Sequence, residues 1–500
     1  MCALVASFLV LFTLQSNLLE VASSVSQRAI GLSNGHPHAS KPFKERVVHL
    51  DLKGAPPRVE YYEKLFPILH ELGVDGLLIE WEDAFPYQGR LSILKAQHAY
   101  SREDVKRILQ LAIDSSLEVI PLIQSFGHLE FVLKHDKFAH LRERMTEDSA
   151  LCPSRNESLL LIEEMIEQIR SSHPNSTRIH IGSDEVYYVG EDIPCRKALM
   201  TVYKENIDRL KIAHIARVAR LALSSGFSEV FAWNDMFDKA SVSLLKEYQL
   251  GLLITPVIWG YAFDVTKEEY FPNGLFERIS QVFPRVWFAS AFKGANGASN
   301  VFISIDRYLA NHQSYVALYR QFEKYLYPRV EGLMLTGWGR FSHHQPLCEL
   351  LPISIPSLVL NLIYTQDVRR PLKDVTIKTK SILKCPSTPP RGLLSSRSFN
   401  GQLYHIPRET LFSACDFPSV DLFTIVQDLR FLVWKSHRVK AENVKEREQF
   451  NTEIEVMEKK LRPLLSKVLF DNAVEEFMVA QVRSLIVPPP TPSPVSIPPK

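Results

Sequence analysis

Between about Arg46 and Tyr364 eight short apolar runs alternate with longer amphipathic stretches, and this period limits the fold more than any other feature of the chain. The runs are Val47–Lys53, Gly76–Trp81, Leu117–Gln124, Arg178–Glu185, Glu229–Asp235, Gly251–Tyr261, Val286–Lys293 and Glu331–Arg340. Most are near-continuous Val, Ile, Leu and Phe, the pattern of strands buried on both faces of a parallel sheet. Between them, Ser101-Arg-Glu-Asp104 spells a capping box that opens a helix through Ile113, and Ile207–Leu223 keeps an apolar stripe. Eight strands, each followed by a helix, is the count of an α/β protein of the closed (β/α)8 TIM-barrel type. The alternative is an open doubly wound sheet, which usually begins with a Gly-rich phosphate loop that this sequence lacks.

The ends of the runs decide for the barrel. Run after run closes on polar or aromatic side chains: Asp51 and Lys53, Glu82 and Asp83, Gln124 with His128, Asp184 and Glu185. The series continues with Trp233 and Asp235, Trp259 and Tyr261, Lys293, and Trp338 with Arg340. Barrel active sites are built at the C-terminal ends of the strands, and eight such ends in a row point to one.

Within that series the pair Asp184–Glu185, closing His180-Ile-Gly-Ser-Asp-Glu, is the strongest candidate for acid–base chemistry. Repulsion and partial burial of two neighbouring carboxyls raise one pKa above the other. A helix N-cap plus a surface acid is the bland reading of the dipeptide, and its strand context with nearby Trp and Tyr residues argues against that. Trp233, Trp259 and Trp338 suit the walls of a sugar pocket, because an indole face packs on sugar C–H groups while its N–H stays available. Trp287 begins a strand, at the far end of the barrel, and reads as core. His180 lies inside a strand and reads as a supporting residue. His128 either braces a pocket carboxylate or satisfies a buried loop. Asp235 is either an acceptor for a sugar hydroxyl or a partner of another site residue.

The stretch His180–Glu185 resembles the His-x-Gly-x-Asp-Glu signature of glycoside hydrolase family 20, the β-N-acetylhexosaminidases. The resemblance runs from Val47 to about Leu362. It includes His49-Leu-Asp-Leu-Lys-Gly-Ala-Pro56, Phe126-Gly-His128, Ala289-Ser-Ala-Phe-Lys-Gly294 and Leu335-Thr-Gly-Trp338. It implies retaining, substrate-assisted hydrolysis of a terminal β-linked GalNAc or GlcNAc, with a lean toward the galacto sugar. The 2-acetamido oxygen attacks the anomeric carbon and forms an oxazolinium intermediate. Glu185 then serves as acid and base and is protonated at the start, while Asp184 stays ionised and accepts the acetamido N–H. Tyr261 is the implied donor to the acetamido oxygen, and Asp51, Lys53, His128 and Asp235 join the tryptophans as implied substrate contacts. The family commonly carries an Arg near the end of the first strand, where this chain offers Lys53, a point donor in place of a guanidinium fork. The mechanism needs no cofactor and no metal.

Two readings from other classes compete with the hydrolase. In a metal-dependent hydrolase His49, Asp51, His128, His180 and Asp184 would be ligands, yet no His-x-His pair ends the first strand. In an inactive barrel used for binding, the charged C-terminal helices would carry partners. With 58 basic and 56 acidic residues the chain has no charge field to draw in nucleic acid. The partner expected is therefore a carbohydrate, and a homodimer stays open.

Outside the catalytic segment, expected at 44–372, the sequence divides further. Residues 1–25 open with an apolar run too short to span a bilayer, resembling the h-region of a signal peptide but lacking its basic start. Secretion and a cytoplasmic or nuclear location both remain open, and no later segment is apolar enough for a membrane span. Residues 373–409 read as a linker or mobile excursion, 410–486 as a helical extension, and 487–500 as a disordered Pro-rich tail. Six cysteines without a CxxC pair suggest neither a zinc site nor a disulfide framework.

Overall fold

A computed structural model describes residues 41–390, 392–393 and 395–489, so the N-terminal apolar run and all but the first residues of the Pro-rich tail lie outside the described part. Eight parallel strands close into a barrel in which each strand pairs with the next in sequence and the first pairs with the last, Val47 opposite Met334. They are Glu45–Asp51, Gly76–Glu80, Glu118–Leu122, Arg178–His180, Glu229–Trp233, Thr255–Trp259, Val286–Lys293 and Val330–Gly337. Helices between them cover the outside, a (β/α)8 barrel. The expected helix starts hold: Ser101 and Asp104 cap each other's backbone N–H, and Asn206 accepts from Arg209 N–H to open Ile207–Ser224.

The barrel interior is filled by Val47, Leu78, Ile120, Leu122, Phe231, Val257, Trp287, Ala289 and Met334. Side chains alternate faces along a strand, so the residue two positions on points into the same interior, nearer the C-terminal mouth. Leu78 is thus followed by Glu80, Leu122 by Gln124, Phe231 by Trp233 and Val257 by Trp259. One register therefore places an apolar plug below and polar or aromatic groups above. At the opposite end Arg178 Nη2 donates to Glu45 at 2.9 Å, and its guanidinium lies 5.6 Å from the ring of Trp287. Trp287 is core, as its strand position suggested.

Several boundaries differ from the sequence reading. The fourth strand stops at His180 instead of running to Glu185, because Gly182, Ser183 and Glu185 adopt positive φ (60°, 69° and 49°) and leave the ladder. The sixth begins at Thr255, since Leu250–Leu253 turn into a helix where a Cβ on Gly251 would stand 2.1 Å from the Val282 carbonyl. A short apolar run cannot be told from a helical turn by periodicity alone. A hairpin, Arg142–Arg144 with Glu147–Leu151, is inserted after the third strand.

The segment read as a linker holds regular elements: Leu372–Ile382 is a helix, and Arg397–Phe399 pairs with Gln402–Tyr404. Disulfides join Cys385 to Cys415 and Cys152 to Cys195, which corrects the expectation of no disulfide framework. Spacings of 30 and 43 residues carry no sign of this, because the fold alone brings the partners together. Beyond them, helices Val420–Ser436 and Val444–Ser466 pack together, the second burying Phe450, Ile454, Met457, Leu461 and Leu465 along one stripe. These side chains share one continuous apolar core with the helices of the barrel. Among the described residues no helix is long and apolar enough to cross a membrane.

Candidate active site

A cavity of about 340 Å³ opens at the C-terminal end of the barrel, where the inner-face register delivers its polar and aromatic residues. Lys53, His128, Asp184, Glu185, Trp233, Trp259, Tyr261 and Trp338 line it. Asp51 and Asp235, expected to touch substrate, are not among the lining residues, because their oxygens are committed elsewhere. Asp51 accepts the backbone N–H of Lys53 at 2.9 Å and of Gly339 at 2.7 Å, tying the first strand end to the eighth. Asp235 accepts the backbone N–H of Glu185 at 2.8 Å and the indole N–H of Trp259 at 3.0 Å. With one oxygen on each, it holds the Glu185 backbone and one wall of the cavity.

The loop carrying Asp184 and Glu185 is held in a conformation most side chains avoid. Left-handed backbone at non-glycine positions persists only where the surroundings over-determine it, and such strain clusters at functional sites. His180, fully buried and kept neutral by burial with its pKa at about 3, accepts the Gly182 N–H on Nδ1 at 2.9 Å and shapes the turn. Gly127 packs against the same loop so closely that a Cβ there would lie 2.1 Å from the Asp184 carbonyl oxygen. Its neighbour His128, also at positive φ, brings Nε2 to 3.2 Å from Glu185 Oε2 and 3.4 Å from Asp184 Oδ2. The brace reading of His128 is therefore the one its geometry fits.

The two carboxyls differ. Asp184 is 6 % exposed, and burial pushes its pKa up to about 7 against the opposing pull of His128. Glu185 is also penalised by burial, but hydrogen bonds from His128 and Tyr187 outweigh it and hold its pKa below the usual value. In the free protein burial thus favours the neutral form of Asp184 while the donors around Glu185 favour its anion, the reverse of the order the chemistry was expected to need. The reason is depth: Asp184 sits in the floor, whereas Glu185 sits nearer the rim among donors. His128 loses charge stability to burial yet gains more from Asp184 and Glu185, which lifts its pKa to about 10 and keeps it cationic.

Two oxygens on residues lining the cavity, Gln124 Oε1 and Asp184 Oδ1, are buried without a hydrogen-bond partner among the described residues, and the second lies beside Glu185. A buried acceptor without a donor costs about 1–3 kcal/mol, so the position suits a ligand N–H or O–H.

Lys53 faces the cavity with Nζ 3.4 Å from Glu82 and 3.8 Å from Glu80, and lies 5.9 Å from the ring of Trp338. Burial disfavours its charge, but Asp51, Glu82, Glu80 and Glu130 together raise its pKa well above the ordinary value. Tyr261 stacks on Trp259 at 5.3 Å and meets Trp338 edge-on at 6.0 Å. Tyr270, Arg307 and Phe341 also line the cavity and were missed in the sequence. Arg307 sits in the helix Ile305–Gln321 and reaches the carbonyls of Tyr261 and Ala295 at 3.2 and 2.7 Å, a role with no strand-end signal.

The five residues imagined as metal ligands do not converge. Among the described residues, the one group of three whose ligand atoms all lie within 4.8 Å of one another is Glu143, Cys152 and Cys195, none of which lines the cavity.

Residues 67–257 match the catalytic domain of glycosyl hydrolase family 20. The chain is 42 % identical to human Hexosaminidase D over 321 residues, 64 % of this chain and 65 % of that protein, which is slightly under two thirds of its length. It is 40 % identical to bovine Hexosaminidase D over 325 residues, 63 % of this chain and 90 % of that one. The crystal structure of β-N-acetylhexosaminidase from Bacteroides fragilis NCTC 9343 shares the fold with a TM-score of 0.51 at 16 % identity, over 69 % of this chain and 71 % of the other.

Proposed function

The chain belongs to glycosyl hydrolase family 20, and from that premise we propose that it is a retaining exo-β-N-acetylhexosaminidase, releasing terminal β-linked GalNAc or GlcNAc with the substrate's own acetamido group as nucleophile. The observation that carries the reading is the unpartnered, buried Asp184 Oδ1 beside Glu185 in a cavity walled by tryptophans.

With the sugar seated on Trp233 and Trp338, the acetamido N–H donates to Asp184 Oδ1 and the carbonyl oxygen faces the anomeric carbon. Tyr261 donates to that oxygen and aligns it. As the C1–oxygen bond to the aglycone breaks, the acetamido oxygen bonds to C1 and Glu185 gives its proton to the departing oxygen. Positive charge develops on the oxazolinium ring, where the Asp184 carboxylate steadies it. Water then attacks C1, Glu185 takes its proton, and the ring reopens to the acetamide with the β configuration retained. Binding supplies the proton order that the free protein lacks: the acetamido N–H favours the Asp184 anion, while the covering aglycone strips water from Glu185 and favours its acid form. His128 contacts both carboxyls and remains cationic through the exchange.

Purified protein should release the aryl group from β-GalNAc or β-GlcNAc aryl glycosides, equally with and without a chelator. The free-protein pKa values also set a pH profile. A productive Asp184–Glu185 pair carries one proton; above about pH 7 Asp184 gives it up and the pair has no acid left. Hence kcat/KM for glycosides with poor leaving groups should fall as pH rises through about 7, and fall again at acid pH when Glu185 binds a second proton. A profile flat across neutrality would contradict the one-proton pair.

A further inference from the structure

The rim of the cavity includes a side chain held from the far end of the chain. Arg340 lines the wall beside Phe341, which is 65 % exposed at the mouth. Its guanidinium is gripped by Glu476: Nη1 donates to Oε1 at 2.7 Å, Nη2 donates to Oε2, and Nη1 also donates to the Gln345 carbonyl at 2.6 Å. Glu476 Oε1 accepts the Leu347 backbone N–H at 3.1 Å as well, so one carboxylate fixes the loop after the eighth strand at two points. Bidentate Arg–carboxylate pairs set geometry as well as energy.

Glu476 belongs to the helix Asp471–Phe477 of the C-terminal extension, which is docked firmly on the mouth of the barrel. Arg58 N–H donates to the Val468 carbonyl at 2.6 Å, and Arg58 Nε donates to the carbonyls of Ser466 and Leu469 at 3.0 and 3.1 Å. His98, from the loop after the second strand, stacks on Phe470. On the other side of Arg340 lies a separate cavity of about 130 Å³, bounded by Gly54, His343 and Asn472 among others. The guanidinium edge already rests on Gly54, where a Cβ would stand 2.1 Å from Arg340 Nε and Nη2, so the clamp and this glycine together fix the side chain.

We infer that Phe341 forms the subsite for the sugar ring beyond the scissile bond, and that Arg340 and Glu476 are the positioning residues that set it. This inference rests on the hexosaminidase reading. Phe341 offers an apolar ring to the C–H face of a second pyranose, while the Arg340 guanidinium, its Nη groups on Glu476 and Gln345 and its Nε edge against Gly54, is used up in holding the loop that carries that ring. The C-terminal extension is then part of the substrate site, reading the glycan chain and taking no part in bond cleavage.

The test compares a disaccharide, β-N-acetylhexosamine capping a hexose, with a β-N-acetylhexosaminyl fluoride, which has no ring beyond the bond. Glu476→Gln keeps an acceptor for Leu347 but loses the charge that holds Arg340. It should lower kcat/KM for the disaccharide about tenfold, largely through KM, with at least about fivefold less effect on the fluoride. Arg340→Ala should show the same selectivity, and the double variant should lose no more than the worse single one. Equal losses on both substrates, no loss on either, or additive losses would overturn the assignment. Wild-type protein inert on both would instead remove the hexosaminidase reading, and this inference with it.

Discussion

Asp184→Asn should lower kcat on any β-N-acetylhexosaminide by about 10² to 10³, or roughly 3–4 kcal/mol of barrier, with little change in KM. The amide has the same size, and its oxygen still accepts the acetamido N–H, so substrate still binds. What disappears is the negative charge that meets the positive charge growing on the oxazolinium ring. Thermal stability separates this from a folding defect. Because burial raises the Asp184 pKa to about 7, the fold disfavours its anion above that pH, and the neutral amide relieves the penalty. The melting temperature at pH 8 should therefore hold or rise while kcat falls. A loss below about threefold would take Asp184 out of the chemistry, and a parallel drop in melting temperature would make its role structural.

Glu185→Gln should show a different signature, because what it removes is a proton donor. Loss of a general acid costs about 10² to 10⁴ where the leaving group needs protonation, as with an oligosaccharide. A dinitrophenyl leaving group departs as a stable anion and should lose far less. Some loss common to both substrates remains, since Gln cannot take a proton from the attacking water either. His128 would keep Asp184 as its one remaining acidic partner of the pair. Equal losses on the two substrate types would remove Glu185 from the acid role.

How far the sequence could be read depended on the range of the interactions involved. The barrel was legible because each strand is buried on both faces, so its residues carry the pattern of their environment locally. The polar strand ends were legible for a related reason: the two-residue register that buries Leu122 and Phe231 points Gln124 and Trp233 at the mouth. What depends on three dimensions was not. Asp51 and Asp235 read as substrate contacts because they are acids at strand ends, and only the folded chain reveals that backbone N–H groups and an indole occupy their oxygens. The order of the Asp184 and Glu185 pKa values follows from relative depth and from His128, more than fifty positions away. Arg340 and Glu476 are 136 residues apart, and neither has a local feature that names the other. The linker reading of 373–409 followed composition, but Lys373, Lys378 and Lys380 sit on the helix Leu372–Ile382, and Arg397–Phe399 pairs with Gln402–Tyr404 in a hairpin.

The central claim is that the substrate supplies its own nucleophile, and a single substitution on the sugar tests it. The same aryl β-hexoside is offered with either an acetamido or a hydroxyl group at carbon 2, and kcat/KM is compared under identical conditions. Holding a nucleophile next to the reacting carbon is worth a large effective concentration, which the hydroxyl analogue forfeits along with the N–H that Asp184 Oδ1 is placed to accept. The acetamido sugar should be turned over at least ~10³-fold better. Comparable rates on the two would mean that the acetamido group does not take part, and Asp184 and Glu185 would have to be reassigned to ordinary double displacement.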